Sequence, residues 1–411
     1  MTNKSLLLLY FSTIVLHAGS QTFDWAKTCG SWAYDYSYAI ATDVNGYNYI
    51  TGYFQDTAYF GSNMIVSAGD NDVFVAKYDK FGNCLWARQA GSVLAPDQGY
   101  AIALDNASNC YITGFYIDTI DFGSQQLNPL GWDDMFIAKY DASGIFQWAK
   151  RYGGTSNDDG KGIAVDAAGN IYVSGYFWGA ASFDSYNLSS AGWGDVFTAK
   201  FDASGTCQWA QRGGGAGDDE GLAVCVDNSG NVFSTGFFKN TATFGTNNLT
   251  SAGVEDIFIA KYDATGNLQW VKQAGNTGTD IGYAIASDAS GNCYVTGYFN
   301  GSITMGSFTL NSTGANEIFI AKLDPAGNYL WAIQDGGVLN DEGYGIVLDD
   351  AGYLYLTGSF EGFTTIGNVE LNSMGIGDIF VACYSTDSIF QWAKQAGGTN
   401  QDDGFAVGVD T

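Results

Sequence analysis

The sequence predicts an all-β fold of repeated four-stranded sheets, and three phrases that recur at one spacing predict it. The first, Phe-Ile-Ala-Lys-Tyr-Asp or a close variant, begins at Phe74, Phe136, Phe197, Phe258, Phe319 and Phe380. The second, Thr-Gly-Tyr-Phe, begins at Thr51, Thr113, Ser174, Thr235, Thr296 and Thr357. The third centres on Trp25, Trp86, Trp148, Trp209, Trp270, Trp331 and Trp392. Each advances by 61 residues per step, with a single step of 62. Markers that keep one period signal a repeat architecture, in which each copy buries its apolar faces against its neighbours.

Each repeat holds four strand candidates. In the third these are Gly160 to Asp166, Asn170 to Phe177, Asp195 to Asp202 and Thr206 to Arg212. Four β-rich runs with no helical periodicity predict a β-propeller blade. The first strand, rich in small residues, suits a crowded axis; Trp209 on the fourth suits the wider rim. Asp166-Ala167-Ala168-Gly169-Asn170 joins strands one and two, and Asp202-Ala203-Ser204-Gly205 joins strands three and four. An Asp that bonds the turn backbone, followed by Gly at positive φ, is hairpin chemistry. The same turns follow Asp105, Asp227 and Asp288, and Asp79, Asp141, Asp263 and Asp324; the sixth repeat has Ser385-Thr386-Asp387 instead.

The run Asp288 to Gly297, Asp-x-x-Gly-Asn-x-Tyr-Val-x-Gly, resembles the SBBP seven-bladed propeller repeat of secreted bacterial proteins. The resemblance extends over essentially the whole chain after its leader. It implies the fold and the cell exterior, and it brings no catalytic residues with it. Six complete repeats run from about Asp35 to Gln395. A fourth-strand phrase, Phe23 to Lys27, precedes them, and a first-strand phrase, Gly404 to Asp410, follows. The expectation is a partial seventh blade shared by the two termini, owning strands one and four. Its strands two and three are expected beyond Thr411, so the propeller of residues 21–411 is C-terminally incomplete.

Lys4, the apolar stretch Leu6 to Leu16, and the small residues Ala18 and Ser20 predict a signal peptide over residues 1–20. The stretch is too short to span a bilayer. The protein is therefore expected to be secreted, extracellular or at the cell surface, with the periplasm also compatible. The balance of 16 basic against 43 acidic residues, a net charge of −27, disfavours nucleic acid and anionic membrane surfaces. The one histidine, His17, falls in the leader, which removes Ser-His-Asp, Cys-His and histidine–metal chemistry from the mature chain. No cofactor and no metal site is predicted, and no Asp-x-Asp-x-Asp-Gly calcium loop is present. With 56 Gly, 3 Pro and 16% aromatics, the composition suits short strands joined by glycine turns over an ample core.

Acids recur in register. Asp35, Asp97, Asp158, Asp219, Asp280, Asp341 and Asp402 precede the first strands and are expected to cap the crossover loops. Asp72, Asp134, Asp195, Asp256, Glu317 and Asp378 open the third strands. The lysines in register at Lys77, Lys139, Lys200, Lys261 and Lys322, and the cations at Lys27, Arg88, Lys150, Lys272 and Lys394, are expected to be their cross-strand partners. The seven cysteines fall at positions too far apart to bridge, so free thiols packed as small apolar residues are predicted.

These features point to a non-catalytic binding or scaffold module with a carbohydrate or protein ligand. The turn Asp202-x-x-Gly205-x-x-x-Trp209 departs from a sialidase Asp-box, and Arg88, Arg151 and Arg212 all lie on the outer strand, away from an axial site. The segments between strands two and three read as long variable loops, where binding resides on rigid scaffolds. Trp32, Trp132, Trp178 and Trp193 fall outside the repeat register, in those loops and crossovers. Trp132 and Trp193 are equivalent in neighbouring repeats, where other repeats have Asp70, Val254, Ala315 and Ile376. Together with Asp133, Asp134 and Asp195 these rings form the candidate ligand-binding set, suited to a neutral sugar. Two alternatives stand beside it: the rings pack under their own loops, or the protein is an extracellular glycan hydrolase with a carboxylate pair at the axial channel.

Overall fold

The computed structural model describes residues 5–10, 12–17 and 23–410, with side chains from Trp25 onward. Every regular element among the described residues is a β-strand. The chain divides into two compact units. The first runs to Ser189 and adds Ala199–Ala210 and the end of the chain from Gly408; the second comprises Ser190–Thr198 and Gln211–Val407.

In the first unit the first repeat is the antiparallel sheet Tyr36–Thr42, Asn48–Phe54, Asp72–Tyr78 and Cys84–Ala90. The second repeat is Gln98–Leu104, Cys110–Tyr116, Asp134–Tyr140 and Phe146–Gly154. The inner pair of the third is Asp158–Val165 and Ile171–Phe183. The second unit holds three such meanders, opening with Glu220–Val226, Ile281–Ser287 and Asp341–Leu348 and closing with Leu268–Ala274, Tyr329–Gly337 and Phe390–Ala396. The two middle strands are buried along nearly their whole length, which is why they read as near-continuous apolar runs.

The Thr-Gly phrase is the joint between repeats. Thr51 Oγ1 donates to Phe74 O at 2.7 Å, and Thr113, Thr235, Thr296 and Thr357 repeat the bond at 2.8–2.9 Å. Each threonine then receives a glycine from the next inner strand. A Cβ on Gly99 would stand 2.5 Å from Thr51 Oγ1, so no other residue lets the two sheets approach this closely.

Tryptophan makes a second joint. Trp86 Nε1 donates to Ala142 O at 3.4 Å, in the next repeat's outer turn. Gly144 of that turn has φ +75° and lies flat on the indole, where a Cβ would come 2.6 Å from Trp86 Cδ2. Trp270 and Trp331 make the same bond to Pro325 O and Thr386 O at 3.1 Å.

Three of the third-strand lysines use these turns too, which corrects their expected pairing with the acids that open the third strands, while Lys139 stands 3.9 Å from the turn acid Asp105. Lys77, Lys261 and Lys322 donate to the carbonyls of Ala142, Pro325 and Thr386. On the way Lys77 Nζ lies 4.6 Å from the centroid of Tyr49. The reason is distance: Lys77 and Asp72 sit at opposite ends of one strand, about 17 Å apart at the usual rise. Arg88 on the fourth strand likewise donates to Gly144 O at 2.7 Å, and the ion pair that Asp195 does form is with Arg212, which lies outside both registers.

The segments between strands two and three are a further correction. They are not irregular loops but small hairpins, such as Thr57–Phe60 with Asn63–Val66 and Thr241–Phe244 with Asn247–Thr250. Their two-residue turns begin with a residue at positive φ: Gly61, Gly123, Gly245, Gly306, Gly367, and Asp184 where glycine is replaced. The residue before each turn, Phe60, Phe122, Phe183, Phe244, Met305 or Ile366, is buried and anchors the hairpin.

At the N-terminus, the backbone of the stretch read as a leader forms strands Ser5–Tyr10 and Ser12–His17, the latter paired with Phe23–Thr28. Ala406–Val409, whose end belongs to this unit, edges the same sheet. Phe23–Thr28 and Ala406–Val409 thus stand in one sheet, with the backbone of the leader stretch between them. The proposed cleavage site lies outside the described residues.

All seven thiols are free, and Cys110, Cys207, Cys293 and Cys383 are buried. Burial pushes the pKa of Cys29, Cys110, Cys207, Cys225 and Cys383 up to about 12, far from thiolate reactivity at neutral pH. Thiol titration of denatured protein is therefore expected to give seven groups both before and after reduction. A gain of two on reduction would overturn this.

Candidate functional site

Among the described residues, the inner strands of the six repeats carry a bulge at one register. The pairing with strand two slips at Tyr38, Tyr100, Lys161, Leu222, Tyr283 and Tyr344. The strand-two glycine makes the bulge possible, since a Cβ on Gly52 would lie 1.8 Å from Tyr36 O. A bulge re-aims its side chain, and here it turns a large residue out of the inner strand at its crossover end. The first strand is therefore not uniformly small, as its third copy suggested.

In the first unit the bulge residues gather a collar of rings. Tyr38 meets Tyr100 at 5.3 Å and Tyr53 at 5.9 Å between centroids, and Tyr100 meets Phe115 at 5.6 Å. Lys161, at the next bulge, sets its ammonium 3.7 Å from the Tyr100 centroid and 2.9 Å from Asp159 Oδ2. In the second unit Tyr283 lies 5.8 Å from Tyr298 and 5.2 Å from Tyr344, and Tyr344 lies 5.5 Å from Phe405. Burial and the nearby Glu342 carboxylate push the Tyr283 and Tyr344 phenols well up, so both rings stay neutral. Gly-Tyr at 99–100, 282–283 and 343–344, with Gly404-Phe405, was the sequence signal for this collar.

The register acids cap the crossovers. Asp158 accepts from Gly154 N at 2.6 Å, Asp219 from Gly215 N at 2.7 Å and Asp341 from Gly337 N at 2.6 Å. Asp219 also accepts from Lys239 N at the end of strand two. The third-strand acids cap their own hairpins: Asp72 takes Ala68 N and Asp134 takes Leu130 N and Gly131 N. The two sets meet at each joint. Asp134 Oδ1 and Asp158 Oδ2 both lie within 3 Å of the point where a Gly153 Cβ would be. Desolvation there, with the partner carboxylate, raises Asp158 to about 8 and Asp97 to about 7.

The predicted ligand residues separate into two classes. Trp32, Trp132 and Trp193 are 106%, 76% and 61% exposed. Trp178 is half-buried, its backbone N–H bonded to Asn157 O at 2.9 Å. Trp132 and Trp178 belong to the first unit and Trp193 to the second. The backbone beside Trp132 is clamped, because Asp133 bridges Asn157 in parallel and Asp158 N donates to Asp133 O. Asp133 is half-buried and raised to about 6 by burial and by Asp159. Asp134 and Asp195 are fully buried and committed to backbone amides and, for Asp195, Arg212. Their placement keeps them from a surface sugar, because both residues are 0% exposed, with one carboxylate oxygen capping the hairpin and the other buried beneath it.

At the other end of the second unit's inner strands, a cavity of about 360 Å³ is bounded by the turns at Asp227, Asp288 and Asp349. All three carboxylates are bonded into their own turns: Asp288 accepts from Asn292, Asp227 from Asn231, and Asp349 from Tyr353 N and Tyr355 Oη.

The chain is similar to an uncharacterized WD repeat-containing protein, L264, of Acanthamoeba polyphaga mimivirus, at 23% identity over 83% of this chain and 31% of that one. It is also similar to the regulatory protein FlaEY of Caulobacter vibrioides, at 27% identity over 67% of this chain and 32% of the other. The chain thus spans about a third of the length of these curated relatives. Among solved structures it aligns with a protein of unknown function from Bacteroides caccae, with TM-score 0.40 and 7% identity over 99% of both chains. The WD40 domain of Neurospora crassa Pan2 aligns with TM-score 0.38 and 12% identity over 73% of this chain and 66% of the domain. Residues 147–180 and 269–303 match the family described as SBBP, beta-propeller repeat, the repeat that the phrase at Asp288 to Gly297 resembles.

Proposed function

We propose that the chain is a non-catalytic binding or scaffold module that works outside the cell, with its leader removed on export. Its six complete repeats are joined by a seventh that the two termini share. The ligand, a carbohydrate or a protein, docks at the crossover end of the sheets. One observation carries this reading: Trp32, Trp132 and Trp193 hold large apolar rings in solvent at positions the repeat leaves to any residue. Rings so placed stack on sugar faces or anchor a partner. The burial of the joint carboxylates, with Asp134 and Asp158 at 0% and 1% exposure, supports a binding role over hydrolysis.

A neutral-glycan array and a polysaccharide hydrolysis screen test this together. Trp132→Ala and Trp193→Ala are expected to weaken glycan retention about tenfold each, as loss of a stacking contact of about 1 kcal/mol or slightly more requires. Their melting temperatures should stay at the wild-type value. Unchanged retention would remove these rings from the site. Released reducing ends that persist in both variants would establish the hydrolase instead.

A further inference from the structure

We infer that the tyrosine–carboxylate cluster of the second unit, formed by Tyr283, Tyr298, Tyr344 and Phe405 with Glu342 and Asp403, is a receptor for a primary alkylammonium group. This site is separate from the exposed tryptophans and independent of what they bind.

The template lies in the same chain. At the third repeat's bulge Lys161 places its ammonium over Tyr100, the bulge residue one repeat earlier, and pairs with Asp159 two residues before it. Rings around a cation and one carboxylate beside it are what an ammonium needs on leaving water. The chain thus solves ammonium recognition once, internally, with its own lysine.

The later repeats keep the receptor and drop the lysine. Tyr283 stands at the register of Tyr100, and Glu342 at that of Asp159, but Tyr344 replaces Lys161. One step on, Tyr344 takes the place of Tyr100, Asp403 that of Asp159, and Phe405 that of the lysine. Two successive carboxylates therefore stay while the cation at their register is gone. Glu342 is served by neutral donors, Tyr344 Oη at 2.6 Å and Asn316 Nδ2 at 2.7 Å, and Asp403 takes the Gln401 amide at 2.7 Å. Tyr283 and Tyr344 are half-buried, so the cluster is not sealed inside the fold. The net charge of −27 draws cations towards it.

An ammonium group reaches such a site either as a free amine or as a lysine side chain on a partner. Calorimetric titration of the full chain with cadaverine, with a Gly-Lys-Gly peptide and with its Nε-acetylated form separates these. Saturable binding of the first two, absent for the acetylated peptide, is expected. Glu342→Gln should weaken it about tenfold, and Tyr283→Leu by a comparable factor. Tyr344→Phe, which frees a Glu342 oxygen while keeping the ring, should instead strengthen it. Binding of the peptide alone supports the site and assigns the ammonium to a protein partner. Equal binding of the acetylated peptide, no saturation with either amine, or Glu342→Gln binding like wild type while folded overturns the proposal. Retention on neutral glycans is expected to be unchanged in Glu342→Gln, so failure here is distinguishable from failure of the tryptophan site.

Discussion

Replacing Trp86 with alanine is expected to destabilise the protein by about 3–5 kcal/mol, the cost of emptying a buried aromatic site. The ring is 7% exposed, packs edge-on to Tyr49 at 6.0 Å between centroids, lies 5.6 Å from the Arg88 guanidinium and supports Gly144 of the next outer turn. Its indole N–H also holds the Ala142 carbonyl. Alanine removes all four contacts and leaves a void between two sheets that are fixed elsewhere by their threonine–glycine joints, so the site cannot collapse. Trp132→Ala is the control, and being 76% exposed it should shift stability by less than about 0.5 kcal/mol. Urea denaturation of the two variants checks both. If they lose stability equally, the register does not separate scaffold from surface.

Acidification from pH 8.5 to 5 is expected to stabilise the protein, against the usual behaviour of a carboxylate-rich fold. Five crossover aspartates are raised in the folded state by burial, to about 7 for Asp97, Asp219, Asp280 and Asp341 and about 8 for Asp158. A group whose folded pKa lies above its unfolded value binds its proton more tightly in the folded state. Its contribution is fully present below the unfolded value near 4 and is lost as pH rises through 7 to 8. The turn aspartates act oppositely: hydrogen bonds from their own turns lower Asp263 to about 2, so its contribution is lost only below about pH 4. Maximum stability should thus fall near pH 4 to 6. Each tenfold gain in proton affinity on folding is worth about 1.4 kcal/mol, so even a fraction of the gain at these five sites should raise Tm by about 5 °C or more. Asp158→Asn should flatten the profile. A Tm that falls between pH 8.5 and 5 would contradict this.

The period, the four strands of each repeat, the Asp-x-x-Gly turns and the capping role of Asp158 and its equivalents were legible in the sequence. Each is local chemistry written in every copy. What was not legible depended on distance across the fold. Lys77 and Asp72 share a register but not a strand end, so sign alone suggested a pair that geometry forbids. The hairpins at Phe60 and Phe244 were hidden because four-residue strands show too little alternation to be read. The collar was missed because the third repeat, with Lys161 at the bulge, stood for the others. Of the candidate site, the exposure of Trp132 followed from its being out of register, whereas the burial of Asp134 and Asp195 followed from their being in it.

Within each unit the joint between repeats is directional: a copy offers its indole and threonine forward, as Trp86 and Thr51 do, and the next copy meets them with its glycines, as Gly144 and Gly99 do. An interface of this kind is heterologous, with unlike halves on the two sides of every copy. Any piece of the array cut at a joint would carry one socket and one plug that match. Fragments made at such a boundary should therefore reassemble with each other, and, at high concentration, with further copies of themselves in open chains.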